Sequence, residues 1–287
     1  MEIITGKYSG FCNGVNYTVR KAEELLKSNS IIYSLGEIVH NEVIVNDLKK
    51  RGLIVKENIN EVPDNSKLII RAHGEKIETY QKGREKNIEI YDLTCGKVSL
   101  IHKKILSKPD YFIIIIGKKI HPETIAHATY SNNSSVIEEM DDIKRAYEQF
   151  KLSNLNNVYV VAQTTFNQNK FDLLCDEIKK VFLDVEIIID NTICNATSLR
   201  QKETRELAKI TNKMIIVGGK NSSNTKELQV IASKYCKNVY LIQTKDDLVN
   251  IIFNEDDIVG IMGGASTPDF LIQDVINYLQ AVKKNIQ

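Results

Sequence analysis

The sequence of 287 residues has no tryptophan, 4 prolines and 5 cysteines. The odd number of cysteines argues against a fully paired disulfide framework. Its net charge of +1 gives no basis for a broad surface that binds nucleic acid or membrane. The longest apolar run, 111–117, is far shorter than the ~20 residues that span a bilayer. The N-terminus lacks the cationic and apolar segments of a signal peptide. We therefore expect a cytoplasmic protein with neither nucleic acid nor membrane as a partner.

Strand-like and helix-like segments alternate throughout, and 43% of the residues are hydrophobic, which is enough for a buried core. Predicted strands are 31–35, 68–71, 88–91, 112–116, 136–138, 158–162, 185–189, 214–217, 239–242 and 258–262. Predicted helices are 16–27, 41–51, 77–86, 98–106, 122–129, 141–150, 170–182, 196–210, 225–235, 245–251 and 268–283. Short strands rich in β-branched residues between longer helices indicate an α/β fold with parallel sheets covered on both faces.

Three cysteines occupy the same relative place in three consecutive thirds of the chain. They are Cys12, in a Gly-Phe-Cys-Asn-Gly turn, and Cys95 and Cys194, each of which ends an apolar run. At a distance of 26 or 28 residues after each cysteine, a strand-like run ending in glycine leads into a polar cluster. These clusters are His40-Asn41, His121-Pro-Glu123 and Ser222-Ser223-Asn224.

A second polar position follows a further apolar run in each third, at His73, Thr164-Thr165 and Ser266-Thr267. Self-similarity at a fixed spacing indicates repeated structural units. We therefore predict three α/β lobes related by a pseudo-threefold axis, with the chemistry on that axis. The predicted lobes are residues 1–96, 97–193 and 194–287, with Cys95 at the entry to the second.

Three convergent thiolates can bind a metal centre. Zinc is one possibility, but structural zinc sites usually take four ligands at close spacings, and here the cysteines are 83 and 99 residues apart. Iron–sulfur clusters are also held by thiolates, normally four. Three cysteines on an axis suit a [4Fe–4S] cluster with one iron that has no protein ligand, which could take a substrate oxygen. A [3Fe–4S] form is also expected, because that iron is labile.

The polar loops are typical of an anion site. The Ser222-Ser223-Asn224 segment precedes a predicted helix, where backbone N–H groups and the helix dipole favour phosphate, although the same residue types are ordinary helix caps. The other histidines and cysteines, His102, His127, Cys175 and Cys236, are predicted to be ordinary core or surface side chains. No Gly-x-Gly-x-x-Gly follows a strand, so we expect no direct binding of a nicotinamide cofactor.

Taken in order, these motifs resemble the 4-hydroxy-3-methylbut-2-enyl diphosphate reductase (LytB) family over essentially the whole chain. The motifs are Gly10-Phe-Cys-Asn-Gly-Val15, His40-Asn41, Ala72-His-Gly74, Asp92-Leu-Thr-Cys95, His121-Pro-Glu123, Gln163-Thr-Thr165, Thr192-Ile-Cys-Asn-Ala-Thr197 with Arg200-Gln201, Gly218-Gly219 with Ser222-Ser-Asn-Thr225, and Gly264-Ala-Ser-Thr-Pro268. Each motif is a weak signal by itself, but all nine in order are highly specific.

The resemblance implies three α/β lobes around a central [4Fe–4S] cluster held by Cys12, Cys95 and Cys194. It implies reductive dehydroxylation of an allylic diphosphate to isopentenyl and dimethylallyl diphosphate, the last step of the non-mevalonate pathway, with a ferredoxin or flavodoxin as electron donor. Glu123 would be the proton donor, and Thr165, together with Thr164, would bridge it to the substrate hydroxyl. The diphosphate would be bound by His40, His73, His121, Ser222, Ser223, Asn224 and Ser266.

Four positions depart from the family pattern and bear on loop geometry and turnover. Ser9 stands where the family often has arginine, Gly96 where it often has proline, and Ala126 and Thr129 where small glycines are common.

Two other classes of protein are alternatives to this family. A lyase like quinolinate synthase also sets three cysteines among three α/β lobes, but its motifs differ. A non-enzymatic iron–sulfur sensor would need a DNA-binding or partner-binding module, and no segment is left over to form one.

Overall fold

The computed structural model describes residues 1–28 and 31–286, and within these ranges strands and helices alternate as the sequence predicts. The strands are β1 (Glu2–Thr5), β2 (Ile32–Leu35), β3 (Leu53–Lys56), β4 (Lys67–Ile70), β5 (Glu89–Asp92), β6 (Tyr111–Ile116), β7 (Ser134–Ile137), β8 (Asn157–Ala162), β9 (Glu186–Ile189), β10 (Lys213–Val217), β11 (Asn238–Ile242) and β12 (Ile258–Gly263). The α-helices are α1 (Asn13–Ser28), α2 (Glu42–Lys50), α3 (Ile77–Glu85), α4 (Gly96–Leu106), α5 (Pro122–Ala128), α6 (Asp142–Leu152), α7 (Gln168–Val181), α8 (Asn195–Ile210), α9 (Ser223–Ser233) and α10 (Asp269–Ile286).

The strands form three four-stranded sheets whose paired strands are all parallel. Their strand orders are β3-β2-β4-β5, β7-β6-β8-β9 and β11-β10-β12-β1. In each sheet the first strand of a repeat lies between the second and the third, and the fourth strand lies at the edge. The prediction of three α/β lobes with parallel sheets is therefore confirmed.

The third sheet is completed by the first strand of the chain. β1 pairs in parallel with β12, with Glu2 opposite Ile258 and Thr5 opposite Ile261. In the other two sheets, α3 and α7 connect the third strand to the fourth, whereas the third sheet has α10 after β12 and then takes its fourth strand from the other end of the chain. All three sheets therefore have the same four-strand arrangement, but in the third sheet the fourth position is filled by β1, which precedes the other strands of that sheet in the sequence.

Contacts divide the chain into two compact units. Residues 1–16, 39–47 and 195–287 form a unit that contains the third sheet. Residues 17–38 and 48–194 form a unit that contains the first two sheets. The predicted lobe boundaries, 1–96, 97–193 and 194–287, stay a prediction.

Both faces of the second sheet are buried, because successive side chains of a strand point to opposite faces. Phe112, Ile114 and Ile116 of β6 join one apolar cluster with side chains of α6 and α7. Ile113 and Ile115 join a second cluster with side chains of α4. The run of four isoleucines therefore fits a central strand covered by helices on both sides.

Three details differ from the sequence prediction. β1 and β3, of four residues each, were not predicted. The predicted helix 245–251 is wrong, since a single 3-10 segment, Lys245–Leu248, stands there.

No helix in residues 1–28 and 31–286 combines the length and apolar character needed to cross a membrane.

Candidate active site

Each of the three cysteines lies between the edge strand of a sheet and a long helix. Cys12 precedes α1, Cys95 is the residue that caps α4, and Cys194 precedes α8. Each backbone N–H donates to a carbonyl in the loop after the third strand of the same sheet: Cys12 to Ala265 at 3.1 Å, Cys95 to Ala72 at 3.0 Å and Cys194 to Thr164 at 2.9 Å. This one hydrogen bond occurs at equivalent positions in all three sheets.

The donor set fits a thiolate-bound cluster. Cys12, Cys95 and Cys194 form no disulfide and are half-buried, whereas the other two cysteines, Cys175 and Cys236, are buried in apolar clusters. That contrast confirms the predicted core placement of Cys175 and Cys236. A helix N-terminus favours negative charge, so each of the three helices helps to offset the charge of a thiolate or of an anionic cluster.

Two polar loops meet in the unit that contains the third sheet. Ser266 Oγ donates to the His40 carbonyl at 3.2 Å and lies 3.5 Å from Ser222 Oγ. Ser222 also caps α9, where its Oγ accepts from the Thr225 N–H at 3.3 Å. A Cβ on Gly219 would lie 2.2 Å from the His40 carbonyl oxygen, so glycine is what allows these loops to approach. The structure thus brings the backbone of His40 together with the side chains of Ser222 and Ser266, and their role in binding a diphosphate stays a prediction.

Asn224 adds unused hydrogen-bonding capacity at the N-terminus of α9. Its side chain is 4% exposed, and neither its amide oxygen nor its amide nitrogen has a hydrogen-bond partner among the described residues. Ser223, the first residue of the helix, is also buried. Buried amide groups are normally paired, so this arrangement suits a polar ligand that would complete the hydrogen bonds.

The predicted acid lies in the other unit, in the first turn of α5. Glu123 is 1% exposed, and Thr164 holds both of its carboxylate oxygens. The Thr164 N–H donates to Oε1 at 2.6 Å and the Thr164 hydroxyl donates to Oε2 at 2.8 Å. His121 caps the helix, with Nδ1 accepting from the Glu123 N–H at 3.2 Å.

The protonation of these groups follows from burial and contacts. Burial alone would raise the pKa of the Glu123 carboxyl, but the contacts with His127, His121 and the Thr164 N–H hold this pKa below its ordinary value. Burial lowers the pKa of His121, which Glu123 only partly offsets. The ring of His121 meets that of His73 edge to face, with centroids 5.3 Å apart. Glu123 is therefore ionised in this state and lies beside a neutral His121.

The structure distinguishes the two adjacent threonines. The hydroxyl that contacts Glu123 belongs to Thr164, whereas Thr165 Oγ1 accepts from Gln163 Nε2 at 2.7 Å. Thr165, which was expected to bridge Glu123 to substrate, makes no hydrogen bond to it among the contacts described. The catalytic role of either threonine stays a prediction.

Sequence reasoning missed two residues of this site. His127 is fully buried, as a core histidine would be, but its Nε2 lies 3.4 Å from Glu123 Oε1, one helical turn away. Gln163 is fully buried, and its Oε1 accepts from the Lys118 N–H at 3.0 Å, which ties the loops after β6 and β8 together. The i, i+4 spacing of Glu123 and His127 on a predicted helix was the available signal.

The departures from the family pattern are accommodated locally. Ser9 Oγ accepts from the Gly263 N–H at 3.0 Å. Thr129 Oγ1 accepts from the Ile77 N–H at 3.1 Å, which links α5 to the start of α3. A Cβ at Gly96 would meet nothing within 4 Å, so no steric contact requires glycine there. Ala126 is buried beside this turn at 1% exposure.

The three parallel sheets, and the hydrogen bond from each cysteine N–H that is repeated in all three, define a three-lobed α/β protein with one cysteine at the same structural position in each lobe. A family model described as LytB protein matches residues 3–280. The 4-hydroxy-3-methylbut-2-enyl diphosphate reductases of Aquifex aeolicus and of a Thermoanaerobacter species are 38% and 36% identical to this chain, over 98% and 99% of it and 97% and 98% of their own lengths.

Two solved structures agree with this assignment. The E-1-hydroxy-2-methyl-but-2-enyl-4-diphosphate reductase of Plasmodium falciparum superposes with a TM-score of 0.87 at 29% identity, covering 97% of this chain and 88% of that one. A second structure, described as the terminal enzyme of the non-mevalonate pathway, has a TM-score of 0.70 at 37% identity, covering 98% of this chain and 100% of that one. The chain belongs to the LytB family of reductases, and the predicted family is confirmed.

Proposed function

We propose that this protein is a 4-hydroxy-3-methylbut-2-enyl diphosphate reductase, which removes the hydroxyl of an allylic diphosphate with two electrons and two protons to give isopentenyl and dimethylallyl diphosphate. One observation carries the proposal beyond family membership. Thr164 holds both oxygens of Glu123, and its carbonyl accepts from the N–H of Cys194. A buried acid and a candidate metal ligand are therefore fixed by the same residue.

Cys12, Cys95 and Cys194 would hold the cluster, a [4Fe–4S] group with one iron free of protein ligands. Such a group, when bound, supplies electrons and a Lewis-acidic iron for a hydroxyl oxygen. The placement of three half-buried cysteines, outside any disulfide, at helix N-termini supports this assignment. No Gly-x-Gly-x-x-Gly follows a strand, so the electrons would come from a carrier protein such as ferredoxin or flavodoxin rather than from a nicotinamide.

The diphosphate would be held by neutral donors and helix termini. His40, Ser222, Ser223, Asn224 and Ser266 offer hydroxyl, imidazole and amide groups in one unit, and His73 and His121 offer imidazoles in the other. The unpaired Asn224 amide and the N-terminus of α9 support anion binding most directly. Hydrogen bonds of this kind would fix the diphosphate and so orient the hydroxyl to be lost.

Glu123 would deliver the proton that lets the hydroxyl leave as water. Hydroxide is a poor leaving group, and a positioned acid typically contributes ~10²–10⁴-fold to such a step. The Thr164 hydroxyl holds Oε2, which fixes the direction of the carboxyl group. The residue nevertheless starts ionised, so a proton has to reach it before each donation.

Single-turnover reduction of the allylic diphosphate with a chemical reductant tests the proposal without the natural electron donor. Glu123→Gln keeps size and hydrogen bonding but has no transferable proton, so turnover should fall by ~10²–10⁴-fold while substrate still binds. If Glu123 only stabilises the start of α5, the effect would be ~0.3–1 kcal/mol on folding and turnover would hardly change.

The cluster ligands are tested by iron content after anaerobic reconstitution. Cys12→Ser, Cys95→Ser and Cys194→Ser should each lose the cluster. Cys175→Ser and Cys236→Ser are the matched controls, since both thiols are buried in apolar clusters, and they should bind iron normally. Full iron in any of the first three variants would disprove the ligand assignment, and an iron-loaded enzyme that does not convert the substrate would disprove the function.

A further inference from the structure

A second titratable group lies against the predicted acid. His127 sits one turn after Glu123 on α5, is fully buried, and has Nε2 3.4 Å from Glu123 Oε1. This separation is longer than a well-formed hydrogen bond. Among the described residues, neither ring nitrogen of His127 has a hydrogen-bond partner. A buried ring with both nitrogens unused calls for an explanation, because buried polar groups are normally paired.

The surroundings of Glu123 indicate what His127 does. Both donors of Thr164 are committed to the carboxylate, one to each oxygen. Oε1 and Nε2 both carry lone pairs, so their approach to 3.4 Å is favourable when Nε2 carries a proton. His127 is thus a group next to Glu123 that can carry a proton and give it up.

A further histidine lies behind His127. The ring of His102 meets that of His127 edge to face, with centroids 4.9 Å apart, and stacks on Tyr130 at 3.9 Å. His102 and Tyr130 line an open surface cavity of about 350 Å³. Burial, followed by the proximity of His127, lowers the pKa of His102 to about 3, so its ring stays neutral. His127 contacts Glu123 on one side, and its ring contacts a residue that lines the cavity on the other.

We propose that His127 is a positioning residue that passes a proton to Glu123, and that the replacement proton comes from solvent in the cavity that His102 lines. The step rests on the proposed function and moves protons only. Before each donation, the Nε2 proton of His127 moves to the ionised Oε1 as Nδ1 takes up another, which leaves a protonated carboxyl group and a neutral imidazole with its proton on Nδ1. Glu123 then gives its proton to the departing hydroxyl, which leaves as water, and loss of the Nδ1 proton with uptake of one at Nε2 returns the imidazole to its starting tautomer.

The test compares two substitutions at position 127 in the reconstituted enzyme. His127→Gln keeps an N–H that can point at Oε1 but cannot accept a proton while giving one. We expect multiple turnover to fall by about 10²-fold, the lower end of the contribution of a positioned proton transfer, while KM for the diphosphate is unchanged. Tyr147→Phe is the control, because Tyr147 lies in α6, which packs on the second sheet away from Glu123, and this variant should have normal turnover.

His127→Ala separates proton transfer from packing. Buried cavities bind small rings, so added imidazole can occupy the space that the side chain leaves. Imidazole should restore turnover, and pyrazole, a ring of the same shape that is a far weaker base, should not. Wild-type turnover in His127→Gln, or equal rescue by both rings, would overturn the proposal.

A measurement without turnover keeps this proposal separate from the proposed function. The infrared carboxylate band of Glu123, identified by its loss in Glu123→Gln, should shift in His127→Gln. An unchanged band would overturn the proton-sharing pair even in an active enzyme. A shifted band in a protein that does not convert the allylic diphosphate would support the pair and count against the reaction.

Discussion

Replacing Thr164 by valine removes a single hydrogen bond from Glu123. Valine has nearly the shape of threonine, so the backbone N–H of residue 164 can still donate to Oε1, where the distance is now 2.6 Å. Only the 2.8 Å bond from the hydroxyl to Oε2 is lost. Because Glu123 is 1% exposed, solvent is poorly placed to replace that donor.

The size of the effect follows from the charge of the acceptor. A hydrogen bond to a charged group is worth about 1.5–3 kcal/mol. If the bond directs the carboxyl group for proton transfer, its loss appears in the transition state, and at 1.36 kcal/mol per tenfold the rate should fall by about 10- to 150-fold. This is less than the loss expected for Glu123→Gln, because Thr164→Val leaves the proton donor in place.

Thr165→Val is the matched control, since the Thr165 hydroxyl accepts from Gln163 and does not contact Glu123. Single-turnover reduction with a chemical reductant should show a large loss in Thr164→Val and a smaller one in Thr165→Val. The reverse order would refute the contact as the basis of the effect and would restore Thr165 as the bridging residue. A thermal unfolding curve for each variant separates loss of activity from loss of fold.

Two further predictions concern stability. Gly96→Pro should stabilise the fold by about 0.4–1 kcal/mol, because residue 96 begins α4 and a Cβ there meets no neighbour. Cys95 already has the extended backbone (φ −55°, ψ 132°) that a following proline requires. An unfolding midpoint at or below that of the wild type would contradict this prediction. The pKa of His102 falls from 6.5 to about 3 on folding, so the unfolded chain binds more protons and stability is full above pH 6.5 and lost as the pH falls toward 3. Between pH 7 and pH 5 this loss is about 2 kcal/mol and should be absent in His102→Gln, as denaturant unfolding at the two pH values would reveal.

Much of the fold could be predicted because its signals are local. β6 is a run of buried isoleucines, and the helices that flank it show helical periodicity, so their types follow from short windows of sequence. β1 could not be predicted in this way, since four residues carry little pattern and the partner, β12, lies more than 250 positions away. Strand β3 was missed for the same reason of length.

The sequence allowed the cysteines, Glu123 and the cap residues to be named as candidates, but His127 and Gln163 were missed, and the roles of the candidates stay predictions. The cysteines and the cap residues of α5 and α9 mark strand ends, and strand ends are local features. The choice between Thr164 and Thr165 depends on which side chain the turn after β8 directs at Glu123, and adjacent identical residues carry no signal for that. His127 was predicted to be an ordinary core or surface histidine, because helical spacing alone does not distinguish a side chain that only packs from one that also contacts Glu123.

The position of β1 in the third sheet has a consequence for folding. β1 is synthesised before the other described strands and β12 after them, so the edge of β12 that faces β1 stays unpaired until β1 docks against it. The entropy of closing so long a loop grows only slowly with its length, but contacts between distant positions form late and slow the folding reaction. Cys12 lies in the loop between β1 and α1, so the first of the three cysteines to leave the ribosome takes its final position only after the last lobe has been made.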